Sequence, residues 1–400
     1  MVSNRQLFLR YLAQTSETPL QFEIEKSEGI YFHDTSGRSY IDLVSGVSVS
    51  NLGHHHPAVI DAVKTQADSY LHTMVYGEFV QSPQVQYARW ITEHLPESLD
   101  NVYFVNSGSE AIDGAMKLAK RFTGRPEFRA FHHSYHGSTH GAMSIFGDAT
   151  FRSGFLPLLP GIKHMRFNCP EDLELIDGQT AAVIVEPIQA EAGIIEPEKD
   201  FLKKLRQRCD RTGSLLILDE IQTGMGRTGR LFAFEHYGIV PDILCLAKSF
   251  GGGMPLGAFI SSREIMRSLT FDPPLGHITT FGGHPVCCAA GYAAQSWVED
   301  HHLVEHSVKM GERYRNRLQH ACIRKIRGKG LFLAVVLDEV CDVGEFISRA
   351  FTNGLVIDQF LFSKDSFRIA PPLIITEKEV DDSVRLILHT LDQLERHEKT

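Results

Sequence analysis

Between about residue 100 and residue 290 the chain repeats one pattern: a short apolar run, a turn, then a stretch with helical spacing. NVYFV (101–105), AAVIV (181–185), LLIL (215–218), ILCL (243–246) and GAFI (257–260) are the apolar runs. Runs this short, bounded by turn signals, read as strands buried on both faces of a sheet. PEKDFLKKLRQRCDRTG (197–213) and the stretch opening at Ser109 carry helical periodicity. Strands alternating with helices of this length predict an α/β doubly wound domain.

The texture changes on either side of this block. IYFHDTSGRSYIDLVSG (30–46) alternates apolar and polar residues around a DTSG turn, which predicts a hairpin. The segment from Pro57 to about Tyr70 predicts a helix with proline in its first turn. From about residue 295 the chain turns to amphipathic helices and short strands, as in KIRGKGLFLAVVLD and SFRIAPPLII. The expected organisation is an N-terminal arm and part of a small domain at 1–55, a large domain at 56–294, and a C-terminal small domain at 295–400.

Composition narrows the function classes. Hydrophobic residues make up 43 % and charged residues 22 %, an ordinary globular balance. A net charge of −9 argues against a nucleic-acid or anionic-membrane surface, which needs clustered positive charge. No apolar stretch reaches the roughly eighteen residues that cross a bilayer, and the opening MVSNRQLFLRYLAQ lacks a signal-like apolar region. Seven scattered cysteines, an odd number without framework spacing, predict reduced thiols and a cytoplasmic protein. His54, His55 and His56 are adjacent, so their side chains point apart; no metal is expected.

The chemistry enters at two strand ends. Asp219 closes the LLIL run, and Lys248 follows ILCL just before a glycine-rich bend. Open α/β sheets bind ligands at the carboxyl ends of their strands, so an acid and an amine arrive together at a crevice. Acids and lysines also end strands as solvated chain termini, and position alone does not separate these readings.

Their surroundings do. DEIQTGMGRTG (219–229), LAKSFGGGMPLGA (246–258) and the distance between them resemble the class III pyridoxal-phosphate-dependent aminotransferases of the ornithine, acetylornithine and 4-aminobutyrate type. The resemblance runs over nearly the whole chain. It implies fold type I: a large doubly wound domain with a mixed, mainly parallel sheet, plus a smaller α/β domain. It also implies pyridoxal 5'-phosphate as cofactor and a homodimer with shared active sites.

The same resemblance assigns roles. Lys248 holds the cofactor aldehyde and moves the proton, and Asp219 keeps the pyridine nitrogen protonated. Ser107, Gly108 and Ser109 in NSGSEA form the phosphate cup at a helix start. Tyr135 stacks on the ring, Gln222 lies near the ring oxygen, and Glu186 ends a buried strand at the cofactor site. Thr280 reaches the phosphate of the neighbouring subunit. Glu191 pairs with Arg368 and releases it when a substrate carboxylate arrives.

Two positions depart from the family pattern. Ser138 stands where a carboxylate-binding arginine is usual, and Val47 replaces a tyrosine that helps hold the same group. The expected reaction moves an amino group from an omega-amino acid or amine to 2-oxoglutarate by a ping-pong route. An aminomutase or decarboxylase on the same fold, or a pyruvate-dependent omega-transaminase, is the alternative.

Overall fold

The computed structural model describes residues 2–398. A seven-stranded sheet forms its largest layer. The strand order is Asn101–Val105, Gly257–Ser261, Ile243–Leu246, Leu215–Asp219, Thr180–Val185, Glu127–Phe131, Ile162–Met165. Gly257–Ser261 runs opposite to the other six strands, and every pairing that does not involve it is parallel. This is the mixed, mainly parallel sheet of the sequence reading.

Period-2 alternation explains why the central strands read as continuous apolar runs. Leu216 and Leu218 pack in one core cluster with Phe201, Leu202, Leu205 and Cys209 of helix Phe201–Thr212. Leu215 and Ile217 point the other way, into a second cluster with Ala111, Ile112, Ala115 and Leu118 of helix Gly108–Thr123. A strand sandwiched between helix layers has no solvent face, so neither set is polar.

Two strands of this sheet escaped the sequence pattern, Glu127–Phe131 (EFRAF) and Ile162–Met165 (IKHM). Arg129 interrupts the first, yet it is fully buried. Its guanidinium donates to Leu175 O at 2.7 Å and pairs with Glu127 at 2.8 Å and Asp177 at 3.3 Å. Those partners come from the fold, so no local pattern could announce them.

The hairpin at Tyr31–Asp34 and Ser39–Asp42 forms as expected, with Asp34 Oδ1 accepting from the amides of Ser36 and Arg38 in the turn. It belongs to a four-stranded sheet in which Ser39–Asp42 pairs in parallel with Leu355–Val356. A three-stranded sheet holds Ile323–Lys329, Phe332–Leu337 and Ser366–Ile369. Helix Pro57–Ser69 starts with proline in its first turn. Helix Asn4–Tyr11 buries none of its residues against the rest of the chain. His54 Nε2 lies 2.8 Å from Asp42 Oδ2. Among the described residues no group of three or more His, Cys, Asp or Glu could hold a metal, and no helix is long and apolar enough to cross a membrane.

Arg227 ties the three sheets' surroundings together. It is fully buried and donates to Leu331 O at 3.1 Å, to Asn51 Oδ1 at 2.5 Å and to Pro371 O. Asn51 in turn donates to Met225 O at 2.9 Å. Burial pulls the guanidinium down to about 9, and the three acceptors take the place of the water it lost. Replacing Arg227 by Met strands all three acceptors in the interior. At about 1–3 kcal/mol for each unsatisfied group, the variant should lose about 3 kcal/mol or more of stability. Denaturant unfolding checks this, and a loss under about 1 kcal/mol would show that the interior repacks around the gap.

Candidate active site

The site is built where neighbouring parallel strands end. Asp219 pairs with Cys245 in the ladder between Leu215–Asp219 and Ile243–Leu246, and Lys248 lies three residues past Cys245. Both groups therefore emerge on the same sheet edge. They line one cavity of about 410 Å³ together with Ser107, Gly108, Ser109, Tyr135, Glu186 and Gln222. Eight of the residues expected at the cofactor thus meet in one place. Asn106, His136, Thr223, Val49 and Met254 line it as well, none of them marked as a site residue by the sequence.

Lys248 opens a short 3-10 turn with φ of +52°, in the left-handed region. A non-glycine residue held there costs about 1–3 kcal/mol, which the surrounding structure must supply. Burial lowers its amine to about 8, and the Arg368 cation lowers it further against the opposing pull of Glu191, Asp219 and Glu186. A less basic amine is uncharged, and hence nucleophilic, in more molecules near neutral pH.

Asp219 is held at both oxygens. Ile221 N donates to Oδ1 at 3.0 Å, and His136 Nδ1 lies 2.7 Å from Oδ2. His136 is 2 % exposed, and its Nε2 has no hydrogen-bond partner. A hydrogen bond at this oxygen fixes the carboxylate's rotation. The only sequence signal for His136 was its place directly after Tyr135.

The helix Gly108–Thr123 begins one residue earlier than Ser109, the expected start. Ser107 is its N-cap, and its Oγ accepts from Glu110 N at 3.2 Å. Capping by Ser107 leaves Gly108 and Ser109 in the first turn, where backbone N–H groups are unpaired and the helix dipole is positive. Ser109 Oγ accepts from Ser138 N at 3.1 Å. Gly137 lies over it with φ of +122°, and a Cβ there would meet Ser109 Oγ at 2.1 Å.

Glu186 caps backbone and faces the cavity at once. Oε1 accepts from Tyr135 N at 3.0 Å and Oε2 from Ala190 N at 2.8 Å. Burial raises it to about 7, with His136 opposing the rise and Asp219 adding to it. Tyr135 packs edge-on against Phe146, centroids 5.1 Å apart, and its hydroxyl is 3.3 Å from Ser138 Oγ.

Beyond the cavity lies an ion-pair cluster. Arg368 Nη2 donates to both oxygens of Glu191, at 2.9 and 3.1 Å, and Nη1 donates to Gln222 Oε1 at 2.9 Å. Gln222 Nε2 closes the ring on Glu191 Oε1 at 3.0 Å. Arg368 is 1 % exposed and Glu191 5 %. Glu191 stays below the usual carboxylate range although burial opposes it, because Arg368 and Gln222 favour the anion. Gln222 spans the two regions, lining the cavity and joining the pair.

Val47 sits in a left-handed turn, Ser45 to Ser48, with φ of +63°. Asp42 holds this turn: Oδ1 accepts from Val44 N and Ser45 N at 2.8 Å each. Val49, just after it, reaches the cavity. Thr280 is not among the cavity residues and is exposed on this chain, while Thr279 Oγ1 accepts from Asn106 Nδ2 at 3.1 Å.

These residues fit pyridoxal phosphate. A helix start with free N–H groups suits a phosphate, a buried carboxylate suits a protonated ring nitrogen, and a lowered amine suits an aldehyde. Known proteins agree. Residues 11–391 match the family model for class-III aminotransferases. The acetylornithine aminotransferase of Archaeoglobus fulgidus is 38 % identical over 92 % of this chain and 94 % of its own length. That of Methanopyrus kandleri is 42 % identical over 89 % and 91 %. Among solved structures, the ornithine aminotransferase of Toxoplasma gondii is similar with a TM-score of 0.91 and 31 % identity, covering 98 % of this chain and 94 % of that one. A transaminase from a marine Virgibacillus reaches 0.92 at 26 % identity, covering 98 % and 99 %. The chain belongs to the class III aminotransferases, pyridoxal-phosphate enzymes of fold type I.

Proposed function

We propose that this aminotransferase takes an amino group from an omega-amino acid or amine and passes it to 2-oxoglutarate in two successive half-reactions at one site. The observation that carries the reading is the closed Glu191–Arg368 pair beside the cavity. A guanidinium already paired within the chain, through Nη2 to both Glu191 oxygens, can serve a donor whose amine end carries no carboxylate, then exchange Glu191 for the carboxylate of a 2-oxo acid. Ser138 and Val47 support a donor of that kind, since neither offers a cation or hydroxyphenyl group to a carboxylate.

When bound, pyridoxal phosphate supplies the electron sink for carbon–hydrogen bond cleavage. In this proposal Ser107, Gly108 and Ser109 hold its phosphate, Tyr135 covers its ring, and Gln222 and Glu186 border it. Asp219, oriented by His136, keeps a proton on the ring nitrogen. Lys248 would hold the aldehyde, and its Nζ, with the amine lowered by burial, would serve as the general base and acid that moves the proton. In this proposal residues 56–294 form the cofactor-binding domain, 1–55 an N-terminal arm and part of the small domain, and 295–400 the C-terminal small domain. The exposed Thr280 supports a homodimer in which it completes the partner's phosphate site. Cys169, Cys209, Cys245, Cys287 and Cys288 are free thiols, which supports a cytoplasmic setting.

Three outcomes are expected. Lys248→Ala should retain cofactor through the phosphate cup yet lose turnover by several orders of magnitude, and borohydride should label the wild-type peptide containing Lys248. A label on another lysine contradicts the assignment. Arg368→Ala should lose about 2–5 kcal/mol of transition-state stabilisation with 2-oxoglutarate, about 30-fold or more in efficiency, with a much smaller loss in the donor half-reaction. Equal losses in single-turnover spectra would reopen the acceptor, with pyruvate next to try. Finally, mixing Lys248→Ala subunits with Thr280→Trp subunits should restore activity, because one site in the mixed dimer is intact. No recovery while subunits demonstrably exchange contradicts the shared site.

A further inference from the structure

Arg368 has a second carboxylate neighbour on its remaining edge. Asp358 Oδ1 lies 3.3 Å from Arg368 Nε, and neither atom has a hydrogen-bond partner. Oδ1 is sealed from solvent although 31 % of the Asp358 side chain remains exposed. The two residues are also joined through the backbone, because Arg368 N donates to Asp358 O at 3.0 Å. The neighbouring Gln359 bridges to Phe367, and the Phe360 ring lies 4.7 Å from the guanidinium carbon. Asp358 and Arg368 are therefore held side by side on two bridged segments of chain. Glu191 and Gln222 reach the guanidinium from separate loops beyond the large sheet's strands.

We propose that Asp358 is a specificity-determining residue: a counter-ion fixed to the Nε edge of Arg368 that gives the cluster a surplus negative charge and weakens its hold on a dianionic acceptor. The inference rests on the reading that Arg368 receives the acceptor carboxylate. With Glu191 and Asp358 both ionised, two anions share one cation. Glu191 leaves the guanidinium when an acceptor enters, but it stays in the neighbourhood. The incoming dianion therefore adds charge beside Asp358, whereas an amine donor adds none or a positive one. At the separations within such a cluster one extra charge changes affinity by several-fold.

The groups facing Asp358 set its ionisation. Burial raises its carboxyl to about 6, with Glu191 and Asp42 adding to the rise and Arg368 and Lys248 opposing it. Asp42 is itself paired with His54. Since the folded value is near 6, Asp358 is ionised at about pH 8 and half neutral at about pH 6.

Glutarate, an unreactive dicarboxylate, is the probe, titrated calorimetrically into the holoenzyme. Asp358→Asn keeps the shape and an oxygen beside Nε while removing the charge. The variant should bind glutarate about fivefold more tightly than wild type at about pH 8. Between about pH 8 and about pH 6 the wild-type affinity should rise about threefold more than the variant's, in which Glu186 still titrates. Asp358→Glu should restore the wild-type affinity and slope. Unchanged or weaker binding by Asp358→Asn at about pH 8, with the same slope as wild type, would overturn the proposal. An Arg368→Ala enzyme that binds glutarate like wild type would instead refute the acceptor reading beneath it, so the two failures are separable.

Discussion

The parallel register that sets Asp219 beside Cys245 governs the rest of the site. It fixes where the first strand stops and how far the second chain segment must travel before Lys248 turns into the same space. Neither group could sit there alone in a dry interior, because an isolated buried charge reverts to its neutral form. Asp219 is held by His136 and Ile221 N, and Lys248 is drawn down to about 8 by its burial. The sheet supplies position and the burial supplies reactivity. Both follow from strands that are apolar on two faces up to their final residue.

Two of the chain's left-handed residues bear on the site. Lys248 and Val47 both occupy left-handed backbone, and each is braced from elsewhere: Val47 by Asp42, the lysine turn by the surrounding core. Arg227 joins the chain before the large sheet to segments that follow it, through Asn51, Leu331 and Pro371. A backbone conformation that costs energy locally persists when such long-range contacts leave it no alternative.

The central strands, the hairpin and the two strand-end ionisable groups were legible because each depends on neighbours within a few residues. LLIL needs only its own apolarity to read as a buried strand, and the DEIQTGMGRTG and LAKSFGGGMPLGA segments carry the family on their face. EFRAF was not legible, because Arg129 looks like a break until Leu175, Glu127 and Asp177 are folded around it. His136 and Asp358 escaped for the same reason. A histidine after a tyrosine, or an aspartate after an apolar run, acquires meaning only from the residue it meets across the fold. The helix start shifted from Ser109 to Gly108 because the cap is chosen by which serine reaches Glu110 N, a matter of geometry that NSGSEA leaves open.

The central claim is that Asp219, aligned by His136, holds a proton on the cofactor's ring nitrogen. The nitrogen-15 chemical shift of that atom in holoenzyme reconstituted with labelled pyridoxal phosphate tests it directly. The account predicts a protonated nitrogen in the wild type and an unprotonated one in Asp219→Asn near neutral pH, since the amide offers no charge to stabilise the pyridinium. A nitrogen protonated to the same degree in both would mean that the buried acid does not govern the ring, and the strand-end geometry would lose its chemical purpose.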